Sequence, residues 1–184
     1  MALERCIQQR RSVRGFRERA LTAEQLGQML WAAQGVTSAD AKRAVPSAGA
    51  LYPLEVYVVA DNITPLAAGV YRYVAKDHEL SPIAAGHLHK KLVSAAPGQE
   101  WISTAPAVFC IAAIFERTTA EYGLRGRGYV YLEAGHAAES LMLQAVSLGL
   151  ATTMVGAFSD DQVKGLLQLG HNEVPLCLIP VGAP

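Results

Sequence analysis

Residues 129–148 form the longest helical candidate in the chain, and they restrict the folds open to it. Apolar and small side chains recur there at helical spacing, among them Val130, Ala137 and Leu141. They cover much of the helix circumference, which predicts a helix that is buried nearly all round. Gly135 lies among alanines, a composition that permits close approach of a second helix. We expect that helix to be its own copy across a dimer axis.

The composition supports a large subunit interface. Hydrophobic residues make up 51% of the 184 residues and charged residues only 17%. This balance leaves little polar surface to cover a monomer of this size. The length suits one domain with a substantial core, so residues 1–184 are predicted to form a single domain.

The rest of the pattern predicts a mixture of helices and strands. Thr22 and Gln25 make a capping box that opens a helix, and Gly35 is placed to end it. Further helices are predicted at residues 2–10, 87–95 and 159–169, and strands at residues 55–60, 69–74, 107–114, 151–155 and 176–181. Strands do not alternate strictly with helices, which favours an α+β fold over a doubly wound one.

A segment bracketed by prolines interrupts this pattern at residues 46–53, with the sequence PSAGALYP. Proline fits neither a helix interior nor a central strand, so Pro46 and Pro53 predict a loop here.

Charge and cysteine content exclude several classes of protein. The 16 basic and 16 acidic residues cancel, so general attraction to nucleic acid or to anionic lipid is not expected. No stretch approaches the roughly 20 apolar residues of a membrane span. The three cysteines, Cys6, Cys110 and Cys177, show no C-x-x-C spacing and are predicted to be buried free thiols. We therefore expect a cytoplasmic protein without a membrane partner.

A cluster of arginines near the start of the chain is the main anion-binding signal. Arg10, Arg11, Ser12 and Arg14 offer guanidinium groups and a hydroxyl within a short segment, a set suited to gripping a phosphate. A solvated basic face on a terminal helix is the alternative. No G-x-G-x-x-G motif follows a strand and no Walker loop occurs, so a nucleotide would have to bind by other means.

Metal and hydrolytic sites are weakly supported. Glu133 and Glu139 lie three residues on either side of His136, on roughly one helical face. With a single histidine this trio more closely resembles groups that form internal hydrogen bonds, and no metal site is expected. The chain has no G-x-S-x-G motif.

Four stretches together carry a resemblance to a known family. They are residues 10–16 (RRSVRGF), residues 46–54 (PSAGALYPL), residues 122–126 with 129–136 (YGLRG and YVYLEAGH), and residues 148–158 with 180–182. In this order and spacing the chain resembles the nitroreductase family of FMN enzymes along nearly its whole length. Within that family it looks like the SagB-type branch, which includes the thiazole/oxazole dehydrogenases.

The resemblance implies an α+β sandwich with a central, mainly antiparallel sheet flanked by helices. Two subunits would share two flavin sites at their interface. The positions that match those holding the FMN phosphate, ribityl chain and pyrimidine edge are Arg10, Arg11, Ser12 and Arg14. The positions that match the loop reaching the flavin of the other subunit are Ser47, Ala48, Gly49 and Leu51. Gln99 matches a side-chain amide that pairs with the pyrimidine. The positions that match the backbone beside the flavin N5 and O4 are Met154, Val155, Gly156 and Ala157.

The chain departs from the family pattern in its basic residues. Many members carry a basic residue after the last strand that meets the phosphate, whereas no basic residue follows Lys164 here. Phosphate binding is therefore expected to depend on Arg10 and Arg14, with Arg125 or Arg127 as possible helpers.

A second departure concerns the reaction. The azoline-oxidising relatives have a Lys-Tyr pair, thought to act as base, where this chain has Glu121 and Tyr122. A base cannot simply be exchanged for a group of opposite charge, so azoline oxidation is disfavoured. Tyr122 is interpreted either as a substrate contact or as a packing residue, and Trp101 as a core or interface aromatic.

The resemblance thus implies an FMN-dependent oxidoreductase that works by a ping-pong mechanism. Hydride would pass from NAD(P)H to an electron-poor acceptor such as a nitro compound or a quinone, with the flavin as the reactive centre. Two alternatives stay open. One is a SagB-type dehydrogenase that oxidises a peptide or small heterocycle, and the other is a non-catalytic flavin-binding protein.

Overall fold

A computed structural model describes residues 1–184 as six helices, eight strands and two short 3-10 turns. The helices are α1 (Leu3–Gln9), α2 (Ala23–Gln34), α3 (His89–Ala95), α4 (Glu116–Tyr122), α5 (Arg125–Ser147) and α6 (Asp160–Leu167). The strands are β1 (Leu21–Thr22), β2 (Leu54–Ala60), β3 (Ile63–Thr64), β4 (Gly69–Val74), β5 (Glu79–Ala85), β6 (Ala107–Ala113), β7 (Ala151–Thr152) and β8 (Val174–Gly182). The 3-10 turns are Ala48–Ala50 and Glu100–Thr104.

One six-stranded sheet organises the fold, in the order β5-β4-β2-β6-β8-β7. Every neighbouring pair in it is antiparallel. The two short strands β1 and β3 pair separately, in parallel. The predicted α+β class with a mainly antiparallel sheet is therefore confirmed.

Strand β6 shows why both faces of the sheet are covered. All seven of its residues are buried, and they alternate between two hydrophobic cores. Phe109 and Ile111 enter the larger core with residues of α2 and α5, whereas Val108 and Cys110 enter the smaller core with residues of α3 and α6. Helices therefore pack on both faces of the sheet, and a continuous apolar run suits a strand in the middle layer.

Helix α5 is less enclosed than its composition predicts. One stripe, which includes Val130, Ala137 and Leu141, is buried against the larger core. The opposite face is open in the single chain, where Tyr131 is 53% exposed and Leu132 is 60% exposed. The expectation of a helix buried nearly all round is therefore wrong for the isolated subunit. An apolar helix face of this kind is available to a partner.

Most predicted elements lie within a few residues of their observed bounds, and four were not predicted: β5, α4 and the two-residue strands β1 and β3. The capping box is confirmed, since the Thr22 hydroxyl accepts from the Gln25 amide and the Gln25 side chain accepts from the Thr22 amide. Strand β5 was missed because Pro82 lies inside it. The strand stands at the sheet edge, where proline is tolerated. Helix α4 was also missed.

The three cysteines are free and buried, as predicted. None of the helices is long and apolar enough to cross a membrane.

Candidate functional site

The arginine segment leaves α1 and docks along the β7 side of the sheet. The Val13 amide donates to the Thr152 carbonyl at 3.0 Å, and the Arg17 amide donates to the Ala183 carbonyl at 3.0 Å. Phe16 packs on Gly182 so closely that a Cβ at that glycine would lie 2.8 Å from the Phe16 Cβ. Backbone pairing and this contact therefore hold the segment in place.

Arg14 is a free cation in this segment. Its side chain makes no ion pair, and its Cζ lies 5.6 Å from the centroid of the Trp101 ring. Trp101 belongs to the 3-10 turn that Gln99 precedes, and Gln99 is half-buried. The indole Nε1 of Trp101 is buried without a hydrogen-bond partner. The structure thus brings Arg14 to the turn after Gln99. It also places Trp101 next to Arg14, which the sequence alone did not indicate.

The stretch at residues 154–157 lies beside the same groups. Val155 exchanges two backbone hydrogen bonds with Leu178, at 2.8 and 2.9 Å. A few residues further on, the Ser159 amide donates to the Ala95 carbonyl at the end of α3, close in sequence to Gln99. Met154 is 52% exposed, and the space where a Cβ of Gly156 would stand is open. Phe16, Ile102 and Val155 all pack in the smaller core, so the arginine segment, the turn after Gln99 and residues 154–157 lie on the same face of the sheet.

Arg10 and Arg11 are engaged elsewhere in the single chain. The Nε of Arg10 lies 3.2 Å from a carboxylate oxygen of Glu139 on α5. Arg11 donates to the carbonyls of Gln8 and Arg10, at 2.9 and 2.7 Å, at the end of α1. Ser12 is exposed and pairs through its backbone with Thr152. The FMN-binding roles of Arg10, Arg11, Ser12 and Arg14 stay predictions. Among the three arginines, Arg14 is the one whose guanidinium has neither a carboxylate nor a backbone carbonyl as partner.

The loop at residues 46–53 has an unusual backbone. Gly49, Ala50 and Tyr52 all have positive φ, at 60°, 53° and 46°. The Ser47 hydroxyl accepts a hydrogen bond from the Tyr52 amide at 2.9 Å, which closes the loop. The hydroxyl of Tyr122 lies 2.9 Å from the position that a Cβ of Gly49 would occupy. Glycine is therefore needed at residue 49 both for its φ and for the approach of Tyr122.

This loop and the arginine segment lie at opposite ends of the central strands. Strand β6 pairs with Val181 at Ala107, near the arginine segment, and with Leu54 at Ala113, next to the loop. The six residue steps between Ala107 and Ala113 span about 20 Å at the usual rise of a strand. Ser47, Ala48, Gly49 and Leu51 therefore do not join the other predicted residues within one chain. This separation is what a site completed by a second subunit requires.

The trio of Glu133, His136 and Glu139 does not form one site. Glu139 pairs with Arg10, His136 is exposed, and Glu133 is only 3% exposed and faces Ser47. The expectation of one shared helical face is therefore wrong. Across all residues, no group of three or more His, Cys, Asp or Glu side chains is arranged to hold a metal ion.

Glu133 is a buried carboxyl group whose pKa lies well above its ordinary value. Burial raises its pKa from 4.5 to about 7, although the Ser47 hydroxyl and the charge of Arg43 act in the opposite direction. One of its oxygens, Oε1, is buried without a hydrogen-bond partner. A buried carboxyl group in these surroundings favours its protonated form. Glu133 faces Ser47, which belongs to the loop at residues 46–53.

Arg125 and Arg127 lie with the loop and not with Arg14. Their Cζ atoms stand 5.6 Å from the Tyr129 ring centroid and 4.6 Å from that of Phe115, at the start of α5. Tyr129 packs on Tyr122, which contacts the loop. Neither arginine can assist Arg14 within the same subunit.

Comparison with known proteins agrees with this architecture. The sequence profile of the nitroreductase family matches residues 7–183. The chain belongs to the nitroreductase family. Within it, the protein from Methanocaldococcus jannaschii named "Putative nitroreductase MJ1384" is 44% identical over 180 residues, which cover 98% of this chain and 90% of that protein.

Two further relatives show how widely this family fold is used. The microcin B17-processing protein McbC of Escherichia coli is 29% identical over 140 residues, covering 72% of this chain and 51% of McbC. This chain thus matches only about half the length of McbC. A nitroreductase-like crystal structure from Anabaena variabilis superposes with a TM-score of 0.87 at 29% identity, covering 99% of this chain and 38% of that one. These likenesses support an oxidoreductase of the flavin-dependent type, and family members are usually dimers.

The residues at the Arg14 end of the sheet fit FMN. FMN has a dianionic phosphate at one end and a ring with polar edges at the other, so it needs a cation together with aimed donors and an open slot. Arg14 supplies a cation without a carboxylate partner, Gln99 an amide, and Trp101 a buried N–H that no protein group satisfies. The open space beside Gly156 allows a flat ring to approach the backbone.

Proposed function

We propose that this protein is an FMN-dependent oxidoreductase that transfers hydride from NAD(P)H to an electron-poor small molecule, such as a nitro compound or a quinone. The observation that carries the proposal is the position of Arg14, the turn after Gln99 and residues 154–157 on one face of the sheet. When bound, FMN would supply the redox chemistry by accepting hydride from one substrate and passing it to the next.

The chain's own residues would bind and orient the cofactor. Arg14 would bring positive charge to the flavin phosphate or to the pyrimidine edge, and at the pyrimidine edge a positive charge favours the more negative, reduced state of the ring. Gln99 offers amide hydrogen bonds that can select the orientation of the pyrimidine. The exposed side chain of Met154 and the open space at Gly156 leave one side of the slot free for substrate.

A homodimer would complete the site. The loop at residues 46–53 lies at the opposite end of β6 from the Arg17–Ala183 pairing within its own subunit, so it would meet the flavin of the other subunit. The open face of α5, with Tyr131 and Leu132, offers the apolar surface that such an interface requires. Sedimentation of the purified protein should give twice the mass of one chain. A monomer at micromolar concentration would contradict this arrangement.

Flavin retention tests the cofactor site. The purified protein, or protein incubated with excess FMN, should be yellow. Arg14→Ala should weaken FMN binding by roughly tenfold or more, since a charge-assisted contact to an anion is removed. Arg19→Ala is the matched control, because Arg19 is also exposed and makes no ion pair. Absence of flavin absorbance in wild-type protein, or equal FMN affinity in the two variants, would contradict the proposal.

A second candidate function is the oxidation of a peptide or small heterocycle with oxygen reoxidising the flavin. It is favoured by the similarity to McbC, a microcin-processing protein, and disfavoured by the acidic Glu121 next to Tyr122. Stopped-flow mixing with NADH and NADPH separates the two. Rapid bleaching of bound FMN without another substrate supports the reductase. Indifference to both nucleotides supports the dehydrogenase, and tight binding of FMN without turnover of any acceptor supports a non-catalytic flavin protein.

A further inference from the structure

A second pocket opens at the end of the sheet where β2 begins, next to α2 and α4. It has a volume of about 430 Å³, and the side chains that give it its character are Gln34, Arg43, Arg72, Lys76, Ser81 and Arg117. We call it the Arg43 pocket. It shares no lining residue with the Arg14, Gln99 and 154–157 group. Nothing in the proposed flavin chemistry accounts for it.

The Arg43 pocket carries more positive charge than its acids neutralise. Arg72 and Arg117 share the carboxylate of Glu55, at 2.8 and 2.7 Å, and Arg72 also lies 3.9 Å from Glu173. These contacts account for two of the four cations that line the pocket. Arg43 and the exposed Lys76 form no ion pair.

Arg43 is held in place by neutral groups. Its guanidinium donates to the Gln34 side-chain oxygen at 2.7 Å and stacks over the Tyr52 ring, with the Cζ 4.6 Å from the centroid. Glu55 and Glu133 act on it only from beyond ion-pair distance, and burial lowers the pKa of its guanidinium. A half-buried guanidinium without an anionic partner is unfavourable unless an anion binds there.

Gln34 provides an independent sign of a missing ligand. The residue is 1% exposed, and its amide Nε2 has no hydrogen-bond partner. Because its oxygen accepts from Arg43, the orientation of the amide is set, and the N–H₂ group is left as an unused donor in the wall of the pocket. A buried donor without a partner is costly, and an oxyanion is the acceptor that would satisfy both Gln34 and Arg43.

We propose that the Arg43 pocket binds a small organic anion through its phosphate or carboxylate group, held by Arg43, Gln34 and Lys76. The volume lies within the range of small-molecule sites and exceeds what a bare ion needs. Tyr52 connects the pocket to the loop at residues 46–53, since its ring stacks on Arg43 and its carbonyl accepts from Arg117 at 2.8 Å. An anion bound here therefore contacts the residues that hold this loop.

Calorimetric titration of the full chain in excess FMN tests the pocket, with phenyl phosphate and benzoate as organic anions and phenol as the uncharged match. Wild type should bind at least one of the two anions saturably and should not bind phenol. Arg43→Gln should weaken that binding at least roughly tenfold, as expected when a charge-assisted contact is lost. Lys42→Gln, an exposed neighbour paired with Asp40, should leave it unchanged.

Two further variants test whether binding depends on this pocket and not on the folding of Arg43→Gln or on the flavin site. Lys76→Gln leaves the contacts of Tyr52 intact and should still weaken binding severalfold, even if Arg43→Gln fails to fold. Arg14→Gln should bind the anion as wild type does, whether or not the protein uses FMN, which separates this proposal from the proposed function. The proposal is overturned if wild type binds neither organic anion, if binding survives both pocket variants, or if it is lost in Arg14→Gln. If inorganic phosphate binds as tightly as phenyl phosphate, the claim that the pocket recognises an organic anion is wrong.

Discussion

Replacing Glu133 with glutamine should remove a pH dependence of stability that is built into the subunit. Burial raises the pKa of this carboxyl group from 4.5 to about 7 in the folded chain. A difference of one in pKa between folded and unfolded states corresponds to about 1.4 kcal/mol, so the group accounts for about 3 kcal/mol. Because the folded state keeps the proton, this stability is fully present below about pH 4.5 and is lost as the pH rises to about 7.

Glutamine imitates the protonated carboxyl group and cannot ionise. Glu133→Gln should therefore match wild type near pH 4 and exceed its free energy of unfolding by about 3 kcal/mol at pH 8. Urea titrations between pH 4 and 8, at one fixed protein concentration, measure the difference. Glu121→Gln, at an exposed carboxylate on α4, should change the free energy by less than about 0.5 kcal/mol at either pH. Parallel pH profiles for wild type and Glu133→Gln would refute the assignment, as would a destabilised variant at pH 8.

Three other substitutions test the site. Gly156→Leu should leave the free energy of unfolding nearly unchanged but lower FMN occupancy, because the space beside this glycine is open only to a ligand; Gly165→Leu, at an equally open glycine on α6, should keep full occupancy. Gly182→Ala should cost about 1–3 kcal/mol in urea titrations, since the new Cβ would lie 2.8 Å from the Phe16 Cβ and overpack the anchor of the arginine segment. Tyr122→Phe should change the KM for the acceptor with little change in FMN affinity if the hydroxyl meets substrate; unchanged kinetics would identify Tyr122 as a packing residue.

Local signals in the sequence predicted the fold wherever neighbouring residues decide the structure. The capping box at Thr22 and Gln25 depends on side chains three residues apart, so it is visible in the sequence. Strand β5 depends on tertiary position instead. Pro82 argues against a strand unless the strand lies at an edge, and only the assembled sheet shows that β5 does.

The candidate site was predictable in its residue types but not in their partners. The resemblance assigned Arg10, Arg11 and Arg14 alike to the residues that hold FMN. It could not show that Glu139, far along the chain on α5, occupies Arg10, or that the end of α1 occupies Arg11. Pairing of this kind is a tertiary property, and it leaves Arg14 as the free cation.

The separation of the two groups of site residues has a thermodynamic consequence for the proposed dimer. One subunit holds Arg14 near one end of its central strands and the loop around Gly49 near the other, so we expect that neither end by itself encloses a flavin. If FMN is bound between two such subunits, it must strengthen their association by the same factor as association strengthens FMN binding, because the two equilibria are linked. The dimer dissociation constant should therefore fall when FMN is added. Arg14→Ala should lose this response although residue 14 lies outside the open face of α5, because its effect on association would pass through the cofactor alone.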